Sequence, residues 1–236
     1  MEVHHHSHHG GPKNWKSYLR EFLMLFLAVF CGFLAEWRLE QMIENHREEE
    51  YIHSIVEDIK ADIGQTEKLL IDMNTRVTRT DTLLSLLSSS EIKQNSNAAY
   101  TLWLKTLGFP DFVQNDRTIQ QLKSSGSLRL IRKKAVSDKI MEYDQIVRLM
   151  AVTQTNMNTI AANNDLFNKT FNFIELNKAN PVAVSLTANG VELLNQAYAS
   201  RFFWKFNLLG YRQRLNVLNQ KGKEVSEFIE KAYHLK

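Results

Sequence analysis

An unbroken run of apolar residues near the N-terminus constrains this chain more than any other feature. The run covers Phe22–Ala35, and a glutamate bounds it on either side. Fourteen residues are fewer than the roughly 20 that cross a bilayer as a helix. Aromatic residues extend the stretch, because Trp15 and Trp37 lie 22 positions, or about 33 Å of helix, apart. We therefore predict a membrane-spanning helix over residues 15–37.

The apolar run has three possible roles besides that of a membrane anchor. A cleaved signal peptide needs small residues before the cut, but Phe33 stands where one belongs before Ala35. A lipoprotein site at Cys31 is disfavoured because Phe30 precedes it. A buried core helix of a soluble protein has a suitable length and stays open. The pattern favours an uncleaved signal anchor.

Charges on the two sides of the run predict its orientation. Lys13, Lys16 and Arg20 precede it, whereas glutamates dominate residues 38–50. By the positive-inside rule, residues 1–14 are expected to form a cytoplasmic tail. Residues 38–236 are then expected to face outward, which in a Gram-negative cell means the periplasm.

The cytoplasmic tail carries a histidine tract, which is the only metal-binding candidate that we retain. A serine interrupts the tract, which favours a natural sequence over an expression tag. We expect at most weak binding of zinc, nickel or copper, since a tract fixes no coordination geometry. The histidines are His4, His5, His6, His8 and His9.

One face of the predicted membrane helix carries small residues. Ala28, Gly32 and Ala35 recur at helical spacing, and Glu21 lies on the same face. Small residues let two membrane helices approach closely, so this face is a candidate seam for a homo-oligomer. A monomeric anchor with Glu21 at headgroup level is an equally good interpretation.

Composition favours long helices and excludes several classes. Only three prolines and nine glycines occur in 236 residues, and few breakers mean few turns. A net charge of +3 is too balanced for a dedicated nucleic-acid binder. One cysteine excludes an intramolecular disulfide framework.

Apolar positions recur every three or four residues from Ile52 to Leu87. This period is typical of coiled-coil-like packing. We predict an all-α fold in which the membrane helix continues into a long antiparallel helical bundle, with Gly64 as its one weak point. The stripe is Ile52, Val56, Ile59, Ile63, Thr66, Leu70, Met73, Val77, Thr80, Leu84 and Leu87.

Breakers divide the rest of the chain. We predict short helices at 98–107 and 117–126, forming an insert (about 97–126) at the membrane-distal end of the bundle. A second long helix is expected from about Ile131 to Asn177, where Pro181 follows. A last helix is expected to begin at Thr187 or Asn189.

Polar residues interrupt the predicted apolar stripes. Thr80 lies on the first long helix, and Gln154 and Asn164 lie on the second. They are candidates for a small-ligand pocket between helices. The alternative is a polar layer that only fixes the register of the bundle.

The sequence contains none of the common catalytic motifs. Phosphate-binding loops, zinc-protease and nucleophile-elbow patterns are missing from the sequence. Glu50 and His53, with Glu230 and His234 near the C-terminus, make only a weak metal pattern. The basic and aromatic residues of 201–206 favour helix packing or a protein partner over nucleic acid. We predict no enzymatic activity and no cofactor.

Four segments resemble a family of small bacterial inner-membrane proteins without an established activity. They are MEVHHH, EFLMLFLAVFCGFLAEW, YIHSIVEDIKAD and TIQQLKSSGSLRLI. The resemblance spans nearly the whole chain and is carried by residues 1–63 and Thr118–Ile131. It implies a native histidine tract, one membrane helix and a periplasmic helical domain, and it assigns no residue a role.

Together these features predict a non-enzymatic, membrane-anchored periplasmic protein. It would act as a scaffold or accessory subunit, as a homo-oligomer or with another envelope protein. A sensor that binds a small ligand and a homo-oligomeric pore lined by Glu21 are the alternatives.

Overall fold

The computed structural model describes residues 14–162, 164–177 and 183–235, and it is all-α as predicted. In these ranges the only β pairing is one isolated bridge between Phe171 and Leu186. Two 3₁₀ turns, Ser127–Leu130 and Phe173–Asn177, accompany the helices. The α-helices are α1 (Trp15–Leu87), α2 (Ser96–Lys105), α3 (Arg117–Ser124), α4 (Lys134–Ala161), α5 (Asp165–Thr170) and α6 (Leu194–Tyr233).

The chain divides into two units, residues 1–50 and 51–236. In the first unit, α1 carries the apolar run, and no part of its most apolar 18-residue window is buried. By length and composition this helix could cross a membrane. It is the one such helix among the described residues.

In the second unit, α1 presents the predicted stripe to the core. The helix is continuous through Gly64, and every stripe position is buried or half-buried. Ile52, Met73 and Thr80 are fully buried. The hydrophobic period alone therefore predicted this face of α1 correctly.

Ion pairs show how the long helices run. Lys60, Glu67 and Asp81 of α1 pair with Glu230, Lys223 and Lys205 of α6, so these helices are antiparallel. The α4 and α6 helices are also antiparallel, because Lys139 contacts Glu224 and Lys221 contacts Glu142. It follows that α4 runs parallel to α1, which corrects the expected antiparallel order of the first two long helices.

An extended segment makes the parallel order of α1 and α4 possible. Residues 106–116, here called the strap, lead the chain back along α1 before α4 begins. Arg76 donates to the Gly108 carbonyl at 2.8 Å, and the Val113 N–H donates to Gln65 at 2.7 Å. Much of the predicted insert therefore lies alongside the long helices, and the expectation that it sits at one end of the bundle was wrong.

The second long helix is shorter than predicted. It ends at Ala161, and a short helix and a 3₁₀ turn occupy the rest of the predicted range up to Asn177. The change of direction buries Phe167 and Phe171 against Trp103 of α2, with ring centroids 5.4 and 5.7 Å from that indole. These aromatics form a second core cluster, separate from the main one between α1, α4 and α6.

Candidate functional site

A charged residue occupies an apolar position in the buried stripe of α6. The stripe follows helical spacing through Ala197, Arg201, Trp204, Leu208 and Tyr211, all of which are buried. Arg201 is only 7% exposed. Arginine is rarely buried to this degree unless a partner satisfies it.

The partners of Arg201 are mainly two indole rings. Its guanidinium carbon lies 4.8 Å from the ring centroid of Trp103 and 5.9 Å from that of Trp204. Nη2 donates to Ser200 Oγ at 3.3 Å. Among the described residues, Nε and Nη1 have no hydrogen-bond partner, and both are shut off from solvent. Within the described part of the chain, the cation is thus enclosed by aromatic faces without a counter-anion.

Burial makes the charged state of Arg201 less favourable. It lowers the pKa of the guanidinium to about 10. That value leaves the group cationic at neutral pH. A buried cation that lacks an anion is destabilising, whereas an anion beside it would recover part of the lost solvation.

The two indoles are held in place by the fold. Trp204 donates from Nε1 to the Thr106 carbonyl, at the start of the strap, at 2.7 Å. Trp103 lies against Phe167 and Phe171 and is 1% exposed. The aromatic cage around Arg201 therefore joins α2, α6 and the strap, and it is preorganised by packing.

A cavity of about 370 Å³ opens beside Arg201. That volume lies within the roughly 300–1,000 Å³ of small-molecule sites. One acidic side chain, Asp165 at the start of α5, belongs to its wall. Neutral polar groups (Gln196, Ser200 and Asn207) and apolar groups (Ile160, Leu166, Phe203 and Trp204) complete the lining. The cavity combines one cation, one carboxylate and a mixed wall.

Exposed aromatic residues lie on α6 near this cavity. Phe202, Phe203 and Phe206 are 40%, 66% and 57% exposed, and Phe202 contacts the other two edge to face. We call these three residues the aromatic ridge. Phe203 belongs both to the ridge and to the cavity wall. Clustered exposed aromatics are typical of binding surfaces.

Other buried charges in the helical unit are satisfied. Asp62 accepts both N–H groups of Asn115 at 2.8 Å and the Tyr143 hydroxyl at 2.9 Å. Asp144 is paired with Lys123 and Arg148. The void beside Asp62 measures only about 10 Å³, too small for a ligand larger than water. These carboxylates stabilise the strap and α3 and offer no ligand site.

The predicted pocket residues have mostly structural partners. Thr80 donates to the Arg76 carbonyl within α1, and Gln154 donates to Asp111 and to the Phe112 carbonyl of the strap. Asn164 precedes α5, and its Oδ1 is buried without a hydrogen-bond partner among the described residues. The two residues after Asn164 belong to the cavity wall, and a role of Asn164 in ligand binding stays a prediction.

The remaining predicted sites either lie on described helices or fall outside the described residues. Ala28, Gly32 and Ala35 are exposed on α1, and Glu21 is half-buried; their role in oligomerisation stays a prediction. The histidine tract lies outside the described residues. Where the structure describes the chain, no three His, Cys, Asp or Glu side chains are grouped to hold a metal ion. Glu230, from the weak metal pattern, pairs with Lys60 instead.

Sequence reasoning missed Arg201 although a signal was present. The last helix was expected to begin at Thr187 or Asn189, but α6 begins at Leu194 and its first buried residue is Ala197. Counting back from Leu208 by four and three gives Trp204 and Arg201. That count places an arginine on the core face, flanked by a tryptophan. No protein-family model, curated protein or solved structure matches the chain.

Proposed function

We propose that this chain is a membrane-anchored binding protein whose helical unit, residues 51–236, binds a small carboxylate-bearing ligand at Arg201. The observation that carries the proposal is the buried guanidinium, which belongs to the cavity wall and has no anionic partner among the described residues. A carboxylate accepts charge-assisted hydrogen bonds from a guanidinium. The α1 segment 15–37 would hold this unit at the inner membrane.

The charge of the cavity favours a carboxylate over a phosphate. Among the described residues, Arg201 is the one cationic residue in the wall, and Asp165 contributes an opposite charge. A group with about two negative charges, such as a phosphate, would be repelled by Asp165 and only half neutralised. One carboxylate is neutralised by one guanidinium.

The proposed orientation follows from the charges around the apolar run. The tail 1–14 would be cytoplasmic and the binding unit periplasmic, where it would meet ligands that enter from outside the cell. Binding there would make the protein a receptor or delivery subunit, without chemistry of its own.

The test measures ligand binding by the full chain in mild detergent. Propionate, benzoate and succinate are titrated with phosphate and sulfate as comparison anions, and thermal unfolding and calorimetry are recorded. A ligand that binds only the native state raises the midpoint of unfolding in proportion to its concentration and affinity. We expect carboxylates to raise the midpoint in the wild type and not in Arg201→Met.

The matched control is Arg212→Met on the same helix. Arg212 lies outside the cavity and donates to Asn74. That variant should respond to carboxylates like the wild type. Equal responses in Arg201→Met and the wild type, or no response to any carboxylate, would contradict the proposal.

The aromatic ridge favours a second candidate function, that of a scaffold or accessory subunit. Three exposed phenylalanines, with Phe202 in contact with the other two, form a surface suited to a protein partner. Native mass spectrometry of the protein extracted from membranes distinguishes the outcomes. A multiple of 27.4 kDa indicates a homo-oligomer, and additional mass indicates another subunit. The double variant Phe202→Ser with Phe206→Ser should release the partner and lose the extra mass. Recovery of the wild type as a 27.4 kDa monomer alone would exclude this role.

A further inference from the structure

One face of α6 carries uncharged groups along the wall of the Arg201 cavity. Gln196, Ser200, Phe203 and Asn207 all belong to that wall. They follow one another at spacings of four, three and four residues, so they lie in line on one side of the helix. We call these four residues the α6 row. The row presents an amide, a hydroxyl, a phenyl ring and a second amide over about 16 Å of helix.

The polar groups of the α6 row are only partly used by the fold. Gln196 is exposed, and its amide makes no hydrogen bond with the described residues. Half-buried Asn207 donates from Nδ2 to the Phe203 carbonyl at 2.9 Å, and its Oδ1 accepts no hydrogen bond from the described part of the chain. Ser200 Oγ accepts from Arg201 and keeps its own O–H to donate. The row therefore offers both donors and acceptors to a ligand.

Apolar surface lies beside these polar groups. The Phe203 ring is 66% exposed, and Ile160 of α4, in the same cavity wall, is 45% exposed. Exposed apolar side chains next to unused amides match a ligand that has an apolar face and a polar rim. A fatty or aromatic acid fits less well, because it would cover the amides and the hydroxyl without replacing their water.

We infer that the ligand is a sugar acid, a polyhydroxylated ring that bears a carboxylate. The C–H bonds on one face of such a ring lie on Phe203. Its hydroxyl groups, which both donate and accept, bind the amides and the hydroxyl of the α6 row. The inference rests on the proposed function for the carboxylate and adds the recognition of the ring. Asp165 has no part in it, because its carboxylate is paired with Lys169.

Matched sets of ligands test the inference on the full chain in mild detergent. D-glucuronate, D-galacturonate and D-mannuronate present three arrangements of the hydroxyl groups. Cyclohexanecarboxylate keeps a ring and the carboxylate but has no hydroxyl groups. The methyl glycosides of glucose, galactose and mannose keep the hydroxyl groups but have no carboxylate. Affinities are measured by calorimetry and by the shift in thermal unfolding.

We expect at least one uronate to bind about tenfold or more tightly than cyclohexanecarboxylate. The double variant Gln196→Leu with Asn207→Leu should remove that advantage and leave the affinity for cyclohexanecarboxylate unchanged or higher. Phe203→Ala should weaken binding of the uronate about tenfold, because the sugar ring loses its stacking surface.

Two control variants lie on α6 outside the cavity wall. Gln213→Leu replaces an exposed amide, and Phe228→Ala removes an aromatic ring that is 37% exposed. Both should bind the uronate like the wild type. A loss of affinity in the controls equal to that in the variants of the α6 row would contradict the assignment of the sugar to this cavity.

The inference and the proposed function fail in different ways. If cyclohexanecarboxylate binds through Arg201 as tightly as every uronate, the sugar is excluded and the carboxylate site stands. If a methyl glycoside binds as tightly as its uronate and Arg201→Met changes neither affinity, the carboxylate site and the sugar acid are overturned, and only the recognition of the ring stands. If no ligand binds in a manner that depends on the α6 row, the inference is overturned.

Discussion

Arg201 and Asp62 are both buried charged residues, and the fold treats them in opposite ways. Asp62 receives hydrogen bonds from Asn115 and Tyr143, which stabilise the ionised carboxylate. Arg201 receives two aromatic faces and one distant hydroxyl. Cation–π contacts contribute only about 0.5–2 kcal/mol each and do not offset the desolvation of a charge. A residue kept at such a cost is better explained by binding than by stability.

The first prediction concerns the stability of Arg201→Met without ligand. Methionine fills a similar volume, adapts to the indoles and carries no charge to desolvate. We expect the free energy of unfolding to stay unchanged or to rise by about 1 kcal/mol, as measured by urea unfolding of the detergent-solubilised chain. A fall of about 2 kcal/mol or more would show that Arg201 is a structural residue. Leu208→Ala, two turns along the same buried stripe, should lower the free energy of unfolding by about 2–5 kcal/mol, which shows that the assay detects core damage.

The second prediction separates the hydrogen bonds of Asp62 from its charge. Asp62→Ala leaves the Asn115 N–H and the Tyr143 hydroxyl without an acceptor. We expect the free energy of unfolding to fall by about 2–4 kcal/mol. Asp62→Asn keeps an acceptor and should lose less than half of that in the same urea experiment. Equal losses in both variants would show that the charge, and not the acceptor, stabilises the strap.

The third prediction is the pH dependence of the same site. Burial raises the pKa of Asp62 above its ordinary value and outweighs the hydrogen bonds that lower it. A raised pKa in the folded state means that stability from this group is complete at low pH and is lost as pH rises through the folded pKa. The stability of the wild type relative to Asp62→Asn should therefore decrease as the pH rises above about 4, the ordinary pKa of an aspartate. Urea unfolding from about pH 4 upward checks it, and an increase would mean that the hydrogen bonds outweigh burial.

At the scale of the helices, the close contact of α6 with α1 and α4 depends on Gly222, which has no side chain. A Cβ on Gly222 would lie 3.0 Å from Ile63 Cγ1 and 3.4 Å from a ring carbon of Tyr143. Nearby, Asn219 donates to the Ile63 carbonyl and to Thr66 Oγ1 at 3.2 and 2.8 Å. This buried polar pair fixes the register of α6 against α1.

The fourth prediction compares glycines of the same helix. Gly210 and Gly222 both lie in α6, but a Cβ on Gly210 meets no atom within 4 Å. Alanine is about 0.8–1 kcal/mol more favourable than glycine inside a helix. Gly210→Ala should gain most of that amount in free energy of unfolding, and Gly222→Ala should gain none or lose stability. Gly64→Ala on α1, also in open space, is a second control, and equal gains at all three sites would contradict the close approach at Gly222.

The sequence pattern predicted the helices whose buried positions recur at a regular spacing. It did not predict contacts between segments that lie far apart in the chain. The stripe of α1 is periodic over many turns, so its buried face was correct from Ile52 to Leu87. The strap is held by side chains such as Asp62, Gln65 and Gln154, which lie 42 to 53 residues away from the groups they bind. No local pattern encodes such contacts, and the early end of α4 likewise depends on aromatic packing with α2.

At the scale of the whole molecule, the chain joins an exposed apolar helix to a unit with its own core. Residues 1–50 and 51–236 are separate compact units, and the core clusters belong to the second. By length and composition, the apolar helix of the first unit could cross a membrane. Under the proposed membrane anchoring, the candidate site would be reached only from the side of the membrane on which the second unit lies.

The last prediction concerns the side of the membrane on which the tail and the second unit each lie. Starting from Cys31→Ser, which removes the sole cysteine, single cysteines are introduced by Ser7→Cys in the tail and Ser90→Cys after α1. Ser90 is exposed in the structure, and Ser7 lies outside the described residues. In cells with a permeabilised outer membrane, an impermeant maleimide should label Ser90→Cys at once and Ser7→Cys only after the inner membrane is lysed, because the bases Lys13, Lys16 and Arg20 retain the tail inside. Labelling in the opposite order would place the Arg201 cavity in the cytoplasm, where its ligand would have to be an internal metabolite. Recovery of the protein in the soluble fraction would show that α1 is not an anchor.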